Sequence, residues 1–216
     1  MHADAPERSV LVLACGALAR EILAIIELNR LAHVELVCLP ASLHNRPERI
    51  VPEVSRVLDE VAGRYERVLV AYADCGTGGA LDRLLQERGI ARLPGAHCYA
   101  FYSGVASFER TAEADMRAFF LTDFLVRQFE TLVIEGLGLD RHPELRDAYF
   151  GNYEKVVYLS QAPDADLIAA AEVAAARLGL AFEHRHVGYG DLPGAITDAA
   201  QTVRRAAERV MGGEAR

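Results

Sequence analysis

The chain has 216 residues, enough for one substantial hydrophobic core or two small lobes, but too few for several independent domains. Its 23 basic and 31 acidic residues give a net charge of −8, and the basic residues form no cluster along the chain. Because an acidic chain without a basic patch repels phosphates, this composition argues against a nucleic-acid-binding protein and against docking on anionic membranes.

The N-terminus and the cysteine content predict a reducing compartment. Residues 1–8 lack the basic start and apolar core of an export signal, and no apolar run is long enough to predict a membrane span. We therefore expect a cytoplasmic protein. Thiols stay reduced there, so the four cysteines are expected to be metal ligands, nucleophiles or small buried residues rather than disulfides.

The first half of the chain alternates short apolar runs with segments of helical spacing. A helix follows each of the first three predicted strands, and Pro47 is expected to begin the second of these helices. Strands joined in this way form a parallel sheet with right-handed crossovers, and ligands bind beyond its carboxyl ends. The predicted strands are residues 9–14, Val34 to Leu39, Arg67 to Ala73 and Ile90 to Leu93.

The second half predicts a similar α/β arrangement after a helix of about twenty residues from Asp115, whose apolar face is rich in phenylalanine. The fold class is therefore α/β, with mainly parallel sheets and alternating helices. We expect one compact unit, 1–216. If it is divided, the expected division is into two similar lobes, 9–110 and 115–212, around the central helix. Further elements are predicted at Val156 to Leu159, Asp164 to Leu178, Ala181 to His186 and a C-terminal helix that includes Ile196 and Val203.

Two strand-to-helix passages resemble each other, and each ends in a cysteine followed by a glycine. The first is VLVLACGAL with Cys15, and the second is VLVAYADCGTGGAL with Cys75. The amides and dipole of a helix N-terminus lower the pKa of a thiol, which favours a metal ligand or a nucleophile. Cys98 is expected at the same edge of the sheet, whereas Cys38 lies within an apolar run and is expected in the core.

Three thiolates with an open fourth position suit a zinc ion or a [4Fe–4S] cluster with one unligated iron. The expected metal ligands are Cys15, Cys75 and Cys98, with His44 as the fourth. His97 is the weaker candidate because it is adjacent to Cys98, and neighbouring side chains of an extended segment point apart. The alternative is that each cysteine is only a small residue at a tight turn.

The glycine-rich segment 74–79, DCGTGG, is a candidate anion cradle at a helix start, although it lacks the lysine of a phosphate-binding P-loop. Its expected cofactor-binding residues are Gly76, Thr77 and Gly78, with Gly16 at the matching turn of the first passage. Asp74 is expected either to act as a base beside Cys75 or to cap the helix.

The chain resembles a prokaryotic domain-of-unknown-function family found in methylotrophs and methanogens. The matching motifs extend from Val10 to about Leu192, with Ala73 departing from the family's usual glycine. The resemblance implies a role beside corrinoid-dependent methyl transfer. The motifs are ACG at 14–16, LHNRPE at 43–48, DCGTG at 74–78, HCY at 97–99, LTDFLVR at 121–127 and LGLDRHPELRDAYFGNY at 137–153.

Together these observations favour a metal- or Fe–S-binding protein with a cysteine-lined pocket, acting as an enzyme or accessory factor of one-carbon metabolism, such as a metal-dependent methyltransferase-related enzyme. Its expected partners are a small-molecule substrate and a corrinoid protein or methyltransferase. The sequence also allows a homo-oligomer. One alternative is a non-catalytic partner that handles corrinoid or metal. Another is a metal-free enzyme with Cys75 as nucleophile, which predicts a single cysteine of lowered pKa.

Overall fold

A computed structural model describes residues 9–201. It divides the chain into two compact units, of which the second, Tyr99–Asp191, is inserted into the first. The described part of the first unit is residues 9–98 together with residues 192–201. None of the helices within the described residues is both long enough and apolar enough to cross a membrane.

The first unit contains a four-stranded parallel sheet with the strand order β2-β1-β3-β4. The central strand β1 is buried at every position, as expected for a parallel strand covered on both faces. The strands are β1 (Val10–Cys15), β2 (Val34–Leu39), β3 (Arg67–Ala71) and β4 (Ala91–Arg92).

Helices connect these strands in the predicted order. Pro47 begins a short 3-10 turn that leads into the second helix, because its fixed φ suits the first turn and its missing N–H costs nothing there. The helices are α1 (Ala19–Leu28), α2 (Ile50–Glu60) and α3 (Ala80–Glu87). Residues 192–201 are also helical and bury Ile196, whereas the predicted continuation through Val203 lies outside the described residues.

The second unit contains a three-stranded parallel sheet with the strand order β5-β6-β7. Its longest helix, α8, begins after Asp164, whose carboxylate accepts hydrogen bonds from the amides of Asp166 and Leu167, both at 3.1 Å. A π-helical segment spans Phe129–Glu135. The strands are β5 (Ala118–Thr122), β6 (Lys155–Ser160) and β7 (Ala181–His186), and the helices are α4 (Ala100–Ser103), α5 (Val105–Thr111), α6 (Asp123–Arg127), α7 (Leu145–Phe150) and α8 (Ala165–Leu178).

The α/β class with parallel sheets and alternating helices is confirmed, but two details of the prediction are wrong. The expected central helix does not start near Asp115, because Ala118–Thr122 pairs with β6 as a strand. Cys38 is exposed rather than in the core, because β2 is at the edge of its sheet. The expectation of one compact unit with lobes at 9–110 and 115–212 stays a prediction.

Candidate functional site

The structure brings three of the four cysteines to one edge of the first sheet. Cys15 is the last residue of β1, Cys75 follows β3, and Cys98 follows β4. These three strands are parallel neighbours, so their carboxyl ends share that edge.

The closest contact among these thiols joins Cys75 to Cys98. Their sulfur atoms are 3.1 Å apart, which is longer than a disulfide bond of about 2.05 Å and suits a hydrogen bond between a thiol and a thiolate. The hydrogen bond from Cys98 lowers the pKa of Cys75, although burial opposes this effect. The same hydrogen bond, together with burial, raises the pKa of Cys98 well above its ordinary value. Cys75 is therefore the thiol of the pair that ionises first.

The pKa values of the other two cysteines, Cys15 and Cys38, are raised rather than lowered. Burial raises the pKa of Cys15 to about 11, with a smaller contribution from the charge of Cys75. Partial burial also raises the pKa of the exposed Cys38. Cys75 thus stands apart, as the alternative with a single activated cysteine requires.

Tyr72 lies among the three thiols and was not singled out from the sequence. The residue is 1% exposed, and its hydroxyl makes no hydrogen bond of good geometry among residues 9–201, although it lies close enough to the Cys15 thiol to interact with it. Burial, followed by interactions with Cys15, Cys98 and Cys75, raises the pKa of its hydroxyl. A tyrosine at the end of an otherwise aliphatic strand is the signal that would have found it, because a buried tyrosine hydroxyl usually has a partner.

Asp74 anchors the loop that carries Cys75. Its carboxylate accepts hydrogen bonds from the Thr77 hydroxyl at 2.8 Å and from the amides of Gly78 at 3.2 Å and Gly79 at 2.8 Å. These bonds, led by the one from Gly79, lower the pKa of Asp74. Two amides of the expected anion cradle are therefore already bonded within the loop. The role of Asp74 as a base stays a prediction.

Cys75 itself has a φ of +48°, which is uncommon outside glycine. The amide of Asp74 donates to the carbonyl of Gly95 at 3.1 Å, and the amide of Cys75 donates to the carbonyl of Ala96 at 2.9 Å. The loop after β3 is thereby tied to the segment that leads to Cys98. Such a backbone conformation persists only where its surroundings hold it, and residues held in this way cluster at functional sites.

Arg92 also holds the segment that leads to Cys98. Its guanidinium donates to both carboxylate oxygens of Asp82, at 2.6 and 2.8 Å, and to the carbonyls of Leu93 at 2.7 Å and Gly95 at 3.3 Å. The Cys75 and Cys98 loops are therefore held by side chains and backbone together.

Two of the three glycines expected to bind a cofactor have packing reasons to be glycine, whereas Gly78 has open space at its Cβ position. A Cβ atom at Gly16 would lie 3.0 Å from the carbonyl oxygen of Leu39, closer than nearly all real contacts. Gly76 has a φ of +82°, and a Cβ there would lie 3.3 Å from Pro47. Their role toward a cofactor stays a prediction.

The two histidine candidates, His44 and His97, lie near each other. Desolvation, and then the neighbouring His97, lower the pKa of His44, while desolvation lowers that of His97. In the part of the chain that the structure describes, no three cysteine, histidine, aspartate or glutamate side chains are arranged to hold a metal ion. The roles of Cys15, Cys75, Cys98 and His44 as metal ligands stay predictions.

A surface groove of about 520 Å³ lies between β2 and α2, away from this pair. It includes Cys38 together with polar residues such as Glu35 and Arg56, and its lining contains none of the other three cysteines. The pKa of Cys38, the cysteine in this groove, is raised, so the groove holds no activated thiol.

Comparison with known proteins identifies the family but no activity. No curated protein and no solved structure matches the chain. The family model described as "Protein of unknown function (DUF1638)" matches residues 38–196, which include Cys75, Cys98 and His44. This match covers most of the chain, so the protein belongs to the DUF1638 family.

Proposed function

We propose that the protein is a thiol-dependent enzyme in which Cys75 is the nucleophile and Cys98 is its hydrogen-bond donor. The observation that carries this proposal is the contact of 3.1 Å between the two sulfur atoms, on a loop whose backbone holds Cys75 at a φ of +48°. A thiolate is the reactive form of cysteine, and a neighbouring donor that favours it activates the residue.

The reaction class follows from the thiolate. The Cys75 sulfur donates an electron pair to an electrophilic carbon, an S–C bond forms, and the leaving group departs with the electron pair of the broken bond. The Cys98 thiol acts before this step, because its hydrogen bond to the Cys75 sulfur favours the thiolate that attacks. Transfer of a methyl group to sulfur is one such reaction, and it agrees with the one-carbon chemistry that the family resemblance implies.

The surroundings of the pair limit the substrate. Cys75 is 7% exposed and Cys98 is partly exposed, so a small electrophile suits this site better than a polymer. A dithiol that must stay reduced also suits the cytoplasm. Where the transferred group is methyl, a corrinoid protein would be the donor partner.

Alkylation by iodoacetamide, measured at each cysteine against pH by mass spectrometry, tests this proposal. We expect the reaction of Cys75 to have its midpoint below that of Cys38. The Cys98→Ala variant should raise the Cys75 midpoint by about one pH unit, because a hydrogen bond to the thiolate worth about 1.4 kcal/mol is lost.

The Cys38→Ala variant is the matched control, since it removes a thiol outside the pair and should leave the Cys75 midpoint unchanged. The proposal fails if Cys75 titrates like Cys38, or if Cys98→Ala leaves its midpoint in place.

A second candidate function is metal or Fe–S binding by Cys15, Cys75 and Cys98. It is favoured by the buried Tyr72 hydroxyl, which interacts with all three thiols and makes no hydrogen bond of good geometry within the described residues. A zinc ion or a cluster, when bound, keeps its cysteine ligands deprotonated at neutral pH. The thiols would have to move to ligate it, because they do not form such a group now.

Anaerobic purification followed by zinc, iron and sulfide analysis separates the two candidates. Metal binding predicts stoichiometric metal that is lost in a Cys15→Ala variant. The thiol pair predicts that the same variant leaves the Cys75 alkylation profile unchanged, because the pair itself stays intact.

A further inference from the structure

The second unit has a polar cluster at the carboxyl ends of β6 and β7. Ser160 is the last residue of β6 and is 1% exposed, whereas His184 and His186 are exposed on the edge strand β7. Ser160 is the register partner of His186, and His184 lies two residues before it. Alternate residues of a strand share a face, so all three side chains lie on the same face of the sheet.

Both imidazoles converge on one oxygen atom. The Ser160 Oγ atom is 2.9 Å from Nε2 of His184 and 3.1 Å from Nδ1 of His186. A hydroxyl carries one proton, so it donates to only one of the two rings, and the other ring must donate its N–H to the oxygen. Two ring nitrogens therefore face the same hydroxyl oxygen.

The buried side of the cluster holds His184 in place. The Tyr158 ring stacks on the His184 ring, with centroids 5.3 Å apart and an interplanar angle of 25°. The Tyr158 hydroxyl donates to Asp123 at 2.7 Å, and the Asp123 carboxylate also accepts from the amides of Gln161 at 3.0 Å and Ala162 at 3.2 Å. A positioned ring loses little freedom when it binds a ligand.

We propose that Ser160, His184 and His186 bind a divalent transition-metal ion of the zinc, nickel and copper class. Neutral imidazole is the preferred ligand of these ions. Ligands about 2.1 Å from a tetrahedral ion lie about 3.4 Å from each other, so the two separations from the Ser160 oxygen, 2.9 and 3.1 Å, would widen by a few tenths of an ångström. Both rings would also turn from the hydroxyl oxygen toward the ion.

The remaining coordination position is open to water or to a substrate, because both histidines are on an exposed edge strand. The neighbouring charged residues of β7, Glu183 and Arg185, alternate with the histidines and belong to the other face. Arg185 is bonded there to Asp115, so its positive charge is already paired. This site is independent of the thiol pair in the first unit.

Titration of Ni²⁺ into the reduced full chain, followed by calorimetry, tests the site. We expect one Ni²⁺ per chain, with affinity reduced at least about tenfold in His184→Gln and in His186→Gln, because each variant removes a ligand. His142→Gln is the matched control, since it removes an exposed histidine of the same unit. The double variant Cys75→Ser, Cys98→Ser should bind Ni²⁺ like the wild type.

The proposal is overturned if the wild type does not bind Ni²⁺, if both histidine variants bind like the wild type, or if only the cysteine variant loses binding. Circular dichroism of each variant first establishes that it folds. A measurement on the wild type needs no variant: bound Ni²⁺ should broaden the ring NMR signals of His184 and His186 before those of His142.

Discussion

Two buried tyrosines of this protein differ in what their hydroxyl groups contact. The Tyr158 hydroxyl donates to the Asp123 carboxylate at 2.7 Å, whereas the Tyr72 hydroxyl makes no hydrogen bond of good geometry among residues 9–201 and faces the Cys15 thiol. A buried polar group without a hydrogen bond costs the folded state its desolvation energy. We therefore expect the Tyr72 hydroxyl to lower the stability of the fold. The same hydroxyl lies beside the three thiols.

Replacing Tyr72 with Phe should raise the free energy of unfolding by about 1 kcal/mol, because the unbonded hydroxyl is removed and the ring stays. Urea unfolding measures the change. Tyr158→Phe is the matched control and should lower the free energy of unfolding by about 1 to 3 kcal/mol, since Asp123 loses a donor. A loss of similar size in both variants would mean that the Tyr72 hydroxyl has a partner in solution.

At the scale of single residues, the sequence identifies types and positions but not contacts. Cys15, Cys75 and Cys98 could be grouped because each follows a strand of one predicted parallel sheet. The pairing of Cys75 with Cys98 could not be predicted, because it depends on hydrogen bonds between two loops that are not adjacent in sequence. Cys38 was misplaced because an apolar run does not reveal whether its strand is central or at an edge.

Among the elements of the second unit, a buried ion cluster joins β6 and β7 to the segment before β5. The Asp115 side chain is 2% exposed and accepts two hydrogen bonds from Arg185, at 2.5 and 2.8 Å, while Lys155 lies 2.9 Å away. The bonds from Arg185, and then from Lys155, hold the pKa of Asp115 well below its ordinary range. The carboxylate is thus ionised in the folded protein down to strongly acidic pH.

Asp115→Asn should lower the free energy of unfolding at pH 7 by about 3 kcal/mol, because Arg185 and Lys155 lose a buried partner. The pKa of Asp115 is lowered on folding, so its stabilisation is present above the ordinary aspartate pKa of about 3.9 and is lost as pH falls below it. Urea unfolding between pH 7 and pH 3 should show less acid sensitivity in the variant.

The exposed Asp140 is the control for this variant, and Asp140→Asn should leave both the stability and its acid dependence nearly unchanged. Equal acid sensitivity in the wild type and in Asp115→Asn would show that other carboxyl groups govern acid unfolding.

A glycine sets the contact between α4 and the segment after β7. Gly190 has a φ of +50°, and a Cβ atom there would lie 2.0 Å from the carbonyl oxygen of Phe101 and 2.5 Å from that of Tyr102. Gly188 has a similar φ of +64° but nothing within 4 Å of its Cβ position. Both glycines have a positive φ, and they differ in the room that is available for a Cβ atom.

We expect Gly190→Ala to lower the free energy of unfolding by more than about 3 kcal/mol or to prevent folding, since backbone atoms would have to move. Gly188→Ala should cost only about 1 kcal/mol, the penalty of a left-handed φ for alanine. Thermal unfolding of both variants gives the comparison. Equal losses would show that the backbone strain, and not the contact with α4, determines the cost.

The elements themselves were largely predictable, because apolar runs bounded by turns mark the strands of both parallel sheets. The error at Ala118–Thr122 has a physical cause. Its residues are apolar at nearly every position, as in the interior of a parallel sheet, and such a run does not distinguish a buried strand from the start of a buried helix. The pairing with β6 decides for the strand, and pairing between distant segments is not visible in local periodicity.

At the scale of the whole molecule, the chain leaves the first unit at Cys98 and returns to it at Leu192. The returning helix buries Leu192, Ile196 and Ala200 completely, and Nε2 of His33 lies 3.3 Å from the Ala200 carbonyl oxygen. The first unit therefore combines segments that are far apart in sequence, and such an arrangement is not visible in local composition.

Ile196→Ala should test whether the two units unfold separately. The truncation leaves a cavity in the first unit and should cost about 2 to 5 kcal/mol there, which raises the amide hydrogen exchange of β1 and β3 while β6 stays protected. Leu167→Ala is the matched variant in the second unit, and it should expose β6 and spare β1. Hydrogen exchange with mass spectrometry measures both patterns. If either variant lowers protection in both sheets equally, the chain unfolds as one cooperative body. The thiol pair and the Ser160 cluster would then be lost at the same free energy of unfolding.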